Sequence, residues 1–181
     1  EALCQQALQR ASDDAQSLEL LGVVRLQQGR REDACALFER VAKLRPRSPA
    51  ALANLVGVQI GLARHAQALA TADRLLAIGG HEVAAQVHRG VALQGLGRAE
   101  DALAAYDDAL ARAPGHHDAL NNAGTLLGAM GRHEEALARY EAGLAHRPDS
   151  PELLNNKGVS LAALGRNEAA VEAYRRAAGV R

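Results

Sequence analysis

The sequence predicts an all-α solenoid of antiparallel helix pairs, each pair one copy of a 34-residue unit. Three observations carry this. The only aromatic residues, Phe38, Tyr106, Tyr140 and Tyr174, share one phase of a 34-residue period, with Ala72 at the skipped beat. Alanine keeps a second phase without a miss, at Ala34, Ala68, Ala102, Ala136 and Ala170. Arginine keeps a third, at Arg30, Arg64, Arg98, Arg132 and Arg166. A fixed period of this length marks one supersecondary unit copied along the chain. A lone helical hairpin cannot bury its apolar stripe, whereas stacked neighbours can.

Five copies align without insertion or deletion: 15–48, 49–82, 83–116, 117–150 and 151–181. They form one expected array over 1–181. Residues 1–14 read as the second helix of an earlier half repeat, since Ala7-Leu8 keeps the phase of Ala109-Leu110. In the first full copy Gly22 precedes Phe38, and Gly29-Arg30 marks the turn between its helices. The second copy opens on Ser48-Pro49, an N-cap followed by an N1 proline. This copy is the most degenerate. It has Val56 for the small glycine, Ala63 for the turn glycine, Ala72 for the aromatic and Gly80 for the proline. Looser stacking or a local kink is expected there.

In the third copy, Gly95-Leu96-Gly97 reads as a helix end. The fourth is the cleanest. Leu120, Ala123, Gly124, Leu127 and Met130 fall at helical spacing, and Gly131 ends the helix at a position that favours φ > 0. Glu134 and Glu135 put negative charge in the first turn of the second helix, where the dipole favours it. Ala136, Leu137, Tyr140 and Leu144 form that helix's buried stripe, and Pro148 stops it. Ser150-Pro151 then opens the last copy, with Leu154, Gly158, Ala170 and Tyr174 in phase.

These residues resemble the tetratricopeptide repeat signature over essentially the whole chain. The match departs at the family's early tryptophan, here Leu18, Leu52, Gln86, Leu120 and Leu154. It also departs at the mid-helix tyrosine, here Arg25, Gln59, Leu93, Leu127 and Leu161. The resemblance implies a right-handed superhelix whose first helices line a concave groove. On that orientation the groove face includes Gln16, Glu19, Leu20 and Val23, then their equivalents one repeat apart, ending at Glu152, Asn155, Asn156 and Val159.

Asparagine stands out on this face. Asn54, Asn122 and Asn156 share a phase with His88, Asn121 and Asn155 share the adjacent one, and Thr125 lies a turn further on. Each amide offers two donors and an acceptor, so a row of them can hold an extended peptide backbone without reading its sequence. The row looks like the asparagine ladder of protein O-GlcNAc transferases and their bacterial relatives. It reads equally as a set of links between helices. The positions that carry basic residues in the carboxylate clamp of chaperone-binding arrays hold Ala84, His88, Asp118 and Asn122, which disfavours capture of an acidic tail of that kind.

The expected function is therefore a non-catalytic scaffold for an extended peptide or protein partner. The alternatives are the substrate-recruiting arm of a larger, glycosyltransferase-like enzyme, or a module that self-associates through uncapped ends. The chain opens on Glu1 rather than methionine and reads as a segment of something longer, or one whose ends stack on a partner. No cofactor and no metal site is expected. His116, His117 and His81 lack ligand spacing, and Cys4 and Cys35 read as small buried residues. The periodic arginines read as caps and partners for Glu32, Glu100, Glu134 and Glu168 rather than as an anion site.

Lysine plus arginine and aspartate plus glutamate balance at 21 each in 181 residues, which disfavours a nucleic-acid or anionic-membrane surface. With the aromatics assigned to packing, none is left to stack bases. No apolar run approaches a membrane span, and few cysteines, no export signal and an alanine-, leucine- and arginine-rich composition fit a bacterial cytoplasm.

Overall fold

In the computed structural model of this protein, which describes residues 14–79 and 81–179, all the regular structure is α-helical. The described helices are α1 (Ala15–Gln27), α2 (Arg31–Leu44), α3 (Pro49–Gly61), α4 (His65–Ile78), α5 (Glu82–Gly95), α6 (Ala99–Arg112), α7 (His117–Ala129), α8 (His133–His146), α9 (Pro151–Ala163) and α10 (Asn167–Ala177). The fold is an all-α solenoid. Cys4 and the expected half repeat 1–14 lie almost wholly outside the described residues. The second helices begin at Arg31, His65, Ala99, His133 and Asn167, each 34 residues after the last.

The helices fall into two compact units that divide between Gly97 and Arg98. In the first unit α1 packs on α2, α2 on α3, α3 on α4 and α4 on α5. In the second, α6 packs on α7, α7 on α8, α8 on α9 and α9 on α10.

Helix starts follow the local chemistry. Ser48 and Ser150 accept from the amides of Ala51 and Leu153, and Pro49 and Pro151 follow them. His116 does the same work for α7, with Nδ1 accepting from Ala119 N. Asp14 caps α1 through Ser17 N.

The first helices α1, α3, α7 and α9 share one closure at their ends. Gly29, Gly131 and Gly165 adopt φ near +75° (74°, 76° and 73°). The arginine after each donates its backbone N–H to a carbonyl five residues back: Arg30 to Arg25, Arg132 to Leu127 and Arg166 to Leu161. This seals carbonyls the helix itself leaves open. Ala63 is forced into the same left-handed conformation, at φ 54°, and Arg64 N still reaches Gln59 O at 2.9 Å. An L side chain is strained there. Ala63→Gly should therefore raise stability by about 1 kcal/mol, read as a higher denaturation midpoint with an unchanged slope.

Packing inside three of the pairs, α1–α2, α7–α8 and α9–α10, rests on a glycine facing an aromatic ring. A Cβ on Gly22 would sit 2.7 Å from Phe38 Cε1, on Gly124 2.5 Å from Tyr140 Cε1, and on Gly158 2.6 Å from Tyr174 Cε1. No neighbour could accept those distances without moving. Loose packing of the second copy is not what the structure shows. Val56, Ala68 and Ala72 are fully buried and form one cluster with Ala92. The glycine–aromatic pair has become a valine–alanine pair, so volume removed from one helix is restored on the other. A buried Thr71–Gln59 side-chain hydrogen bond of 2.8 Å adds a polar tie in this copy.

Gly95 is more than a helix end. A Cβ there would lie 2.3 Å from the His65 ring, so that ring would have to move.

Candidate functional site

The exposed positions of the first helices recur with the repeat, as the sequence pattern required. In α7 and α9 they include Asp118, Thr125, Glu152, Asn155 and Val159, with Asn121, Asn122 and Asn156 half-buried between them. In the first unit Leu20, Val23 and Gly57 are exposed and Asn54 and His88 half-buried. Val87, expected on this face, instead turns into the core and is buried.

Several of the ladder residues touch. In the second unit Asn156 Nδ2 donates to Asn121 Oδ1 at 2.9 Å and lies 3.5 Å from Thr125 Oγ1. In the first unit Asn54 Nδ2 donates to Glu19 Oε1 at 2.9 Å. Both bonds join a residue to the neighbouring phase one repeat earlier. The amides thus tie adjacent first helices together; beyond that tie Asn54 and Asn156 keep their carbonyl oxygens and Asn121 keeps its NH₂ donors. Holding the amide in one rotamer also lowers the ordering cost of any ligand contact it makes. Asn122 and Asn155 take no part in these ties.

His88 occupies the ladder phase in α5, where the equivalent of Glu19 and Asn121 is Ala53, a side chain with no acceptor. Its Nδ1 is buried without a hydrogen-bond partner. Burial holds its pKa below the ordinary 6.5. The unfolded chain therefore binds more protons than the folded one just below that pH, and stability falls as pH drops from about 6.5. His88→Asn should flatten the stability profile between about pH 5 and 6.5, measured by urea denaturation at stepped pH.

The aromatics sit mainly in the core. Phe38 and Tyr106 are fully buried and Tyr140 almost so. Burial raises the Tyr140 pKa, and hydrogen bonds with Thr125 and Ser160 partly offset the rise. The ring that packs on Gly124 thus also touches a residue of the ladder face and one of the next first helix. Tyr174 departs from the expectation that packing would take up every aromatic. One edge packs on Gly158, but 37% of the residue stays exposed because no described helix follows α10. The first helices themselves carry no aromatic residue.

The other constellations have structural partners. Arg64 pairs with Glu32, Arg132 with Glu100 and Glu135, and Arg166 with Glu134. Arg30 and Arg98 pair with Asp33 and Asp101 at the start of their own helices. Glu168 has no such pair among the described ion pairs. These exposed pairs add little stability individually. Cys35 is buried, accepts from Arg64 Nη1 at 3.4 Å, and has its pKa raised by burial and by Glu39. His117 Nε2 lies 3.0 Å from Ser150 Oγ, joining the start of α7 to the cap of α9. Among the described residues no group of three or more potential metal ligands converges, and no helix is long and apolar enough to cross a membrane.

Three family models described as tetratricopeptide repeat match the chain, over residues 25–91, 81–149 and 121–180. No curated protein matches it in sequence. Solved structures match over nearly the full length. TTC0263, a thermophilic TPR protein of Thermus thermophilus, is 26% identical with a TM-score of 0.75, covering 91% of this chain and 90% of that one. MamA from Desulfovibrio magneticus is 16% identical with a TM-score of 0.77, covering 92% and 94%. YrrB, described as a TPR protein with an unusual peptide-binding site, is 20% identical with a TM-score of 0.68, covering 98% and 92%.

Proposed function

Because this chain belongs to the tetratricopeptide repeat family, we propose that it is a non-catalytic scaffold that holds an extended peptide or protein segment on the exposed faces of its first helices. The contacts are Asn54 and His88 in the first unit and Asn121, Asn122, Thr125, Asn155 and Asn156 in the second. The observation that carries this reading is the Asn156–Asn121–Thr125 cluster. It is an amide array held in place by its own hydrogen bonds, on a face with exposed aliphatic side chains and no aromatic. Such a surface recognises backbone and small apolar groups rather than bases or large anchors. The description of YrrB as carrying a peptide-binding site is in keeping with it.

The test begins with peptides selected from a random display library on the full chain. Their affinity is then measured by calorimetry for the parent and for Asn122→Ala with Asn156→Ala. Loss of two ligand hydrogen bonds should weaken binding roughly tenfold. Circular dichroism should show the helices intact. Equal affinity in an intact double variant would remove the ladder from the binding site.

A further inference from the structure

The peptide class that suits the second unit follows from charge and from the order of rows on its first-helix face, and it rests on the peptide-binding reading above. Three rows run across α7 and α9, each stepping by one repeat. Asp118 and Glu152 form the first, the amides around Asn121 and Asn156 the second, and Thr125 and Val159 the third. Asp118 to Thr125 is two helical turns, about 10 Å at the usual rise, so the amide row lies between an acidic edge and an aliphatic edge.

The acidic edge lacks the neutralisation found elsewhere on this unit. On the second helices Glu134 pairs with Arg166, Glu135 with Arg132, Asp107 with Arg139 and Glu141 with Lys157. The Asp118 side chain is 73% exposed and meets only the adjacent His117 ring. Glu152 is exposed. Among the described residues neither carboxylate pairs with a lysine or arginine. The one lysine of α9, Lys157, is turned to Glu141 on α8. The aliphatic edge is open as well, with Val159 52% exposed.

We propose that this face takes an extended peptide in which basic residues alternate with small aliphatic ones. A peptide lying along the amide row sends successive side chains to opposite edges. Lysine or arginine then meets Asp118 and Glu152 while valine or alanine meets Thr125 and Val159. The amides hold the backbone between them. The carboxylates, unpaired with any lysine or arginine among the described residues, supply the preference for cations and a dependence on salt.

Three fluorescein-labelled probes test this on the full chain by anisotropy at low salt: Lys-Val-Lys-Ala-Lys-Val-Lys-Ala, its glutamate counterpart, and a block isomer with all lysines first. The alternating basic probe should bind at least about tenfold tighter than the glutamate one and several-fold tighter than the block isomer. Asp118→Asn with Glu152→Gln, which keeps size and hydrogen bonding, should remove most of the first preference. Equal binding of the basic and glutamate probes overturns the proposal, as does an unchanged preference in the double variant. If acid neutralisation changes nothing while Asn122→Ala with Asn156→Ala still weakens binding, the peptide groove stands and the basic preference falls. If no probe binds and none can be selected from a library, both fall.

Discussion

Phe38→Ala is expected to lower stability by about 3–5 kcal/mol, the range for emptying a fully buried aromatic site. Phe38 is 0% exposed, its ring fills the space left by Gly22, and its cluster includes Leu52, Leu55 and Leu75 of the next helix pair. The alanine variant therefore loses contacts within α1–α2 and between that pair and the following one. Repeat arrays gain most of their stability from such nearest-neighbour surfaces. A loss of this size is a large share of the net stability of an ordinary domain. It should appear in chemical denaturation, and hydrogen exchange should show the lost protection concentrated in α1–α3. A loss under about 1 kcal/mol would mean the ring is not the keystone its burial indicates.

The second large effect concerns the glycine that faces the ring. Gly124→Val places side-chain atoms within the Tyr140 ring, since the Cβ alone would lie 2.5 Å from Cε1. Overpacking of this kind should cost about 1–3 kcal/mol or more. The 49–82 copy shows the remedy, with Val56 and Ala72 in the glycine and aromatic places and both fully buried. Gly124→Val combined with Tyr140→Ala should therefore recover much of the sum of the single losses, a coupling of about 1–3 kcal/mol in a double-mutant cycle. Additive losses would show that Val56 and Ala72 succeed through their surroundings and not through each other.

The same pairs show how much of this molecule was legible in the sequence. Phase alone located the helices, because Gly131, Pro148 and Ser150-Pro151 each impose a local backbone event that does not depend on distant packing. Read position by position, the 49–82 copy looked defective. Read as the pair Val56 with Ala72, it conserves volume, and periodicity cannot display a trade between two phases. The run Gly95-Leu96-Gly97 reads as a helix end; the close approach of the His65 ring to Gly95, from thirty residues earlier, has no signal in that run.

The ladder face was legible as a list and not as a network. Asparagine phases marked Asn54, Asn122 and Asn156, but the bonds run to Glu19 and Asn121 one phase over and one repeat back. That offset comes from the way adjacent first helices lie side by side, which sequence spacing does not contain. His88 sits where this offset meets Ala53, so its burial without a partner could be recognised only once the other two bonds were known. Exposure of Tyr174 likewise follows from what packs beside α10 rather than from its place in the repeat.

The most direct test of a peptide-binding first-helix face is a side-chain amide footprint. Asparagine NH₂ resonances of the isotope-labelled chain are followed by NMR while a library-selected peptide is titrated in. Shifts should concentrate on Asn121, Asn122, Asn155 and Asn156, with Thr125 and Val159 methyls moving at the same peptide concentration. Shifts confined to second-helix residues such as Arg139, Glu141 and Val171, with the asparagine amides unmoved, would contradict the proposed function.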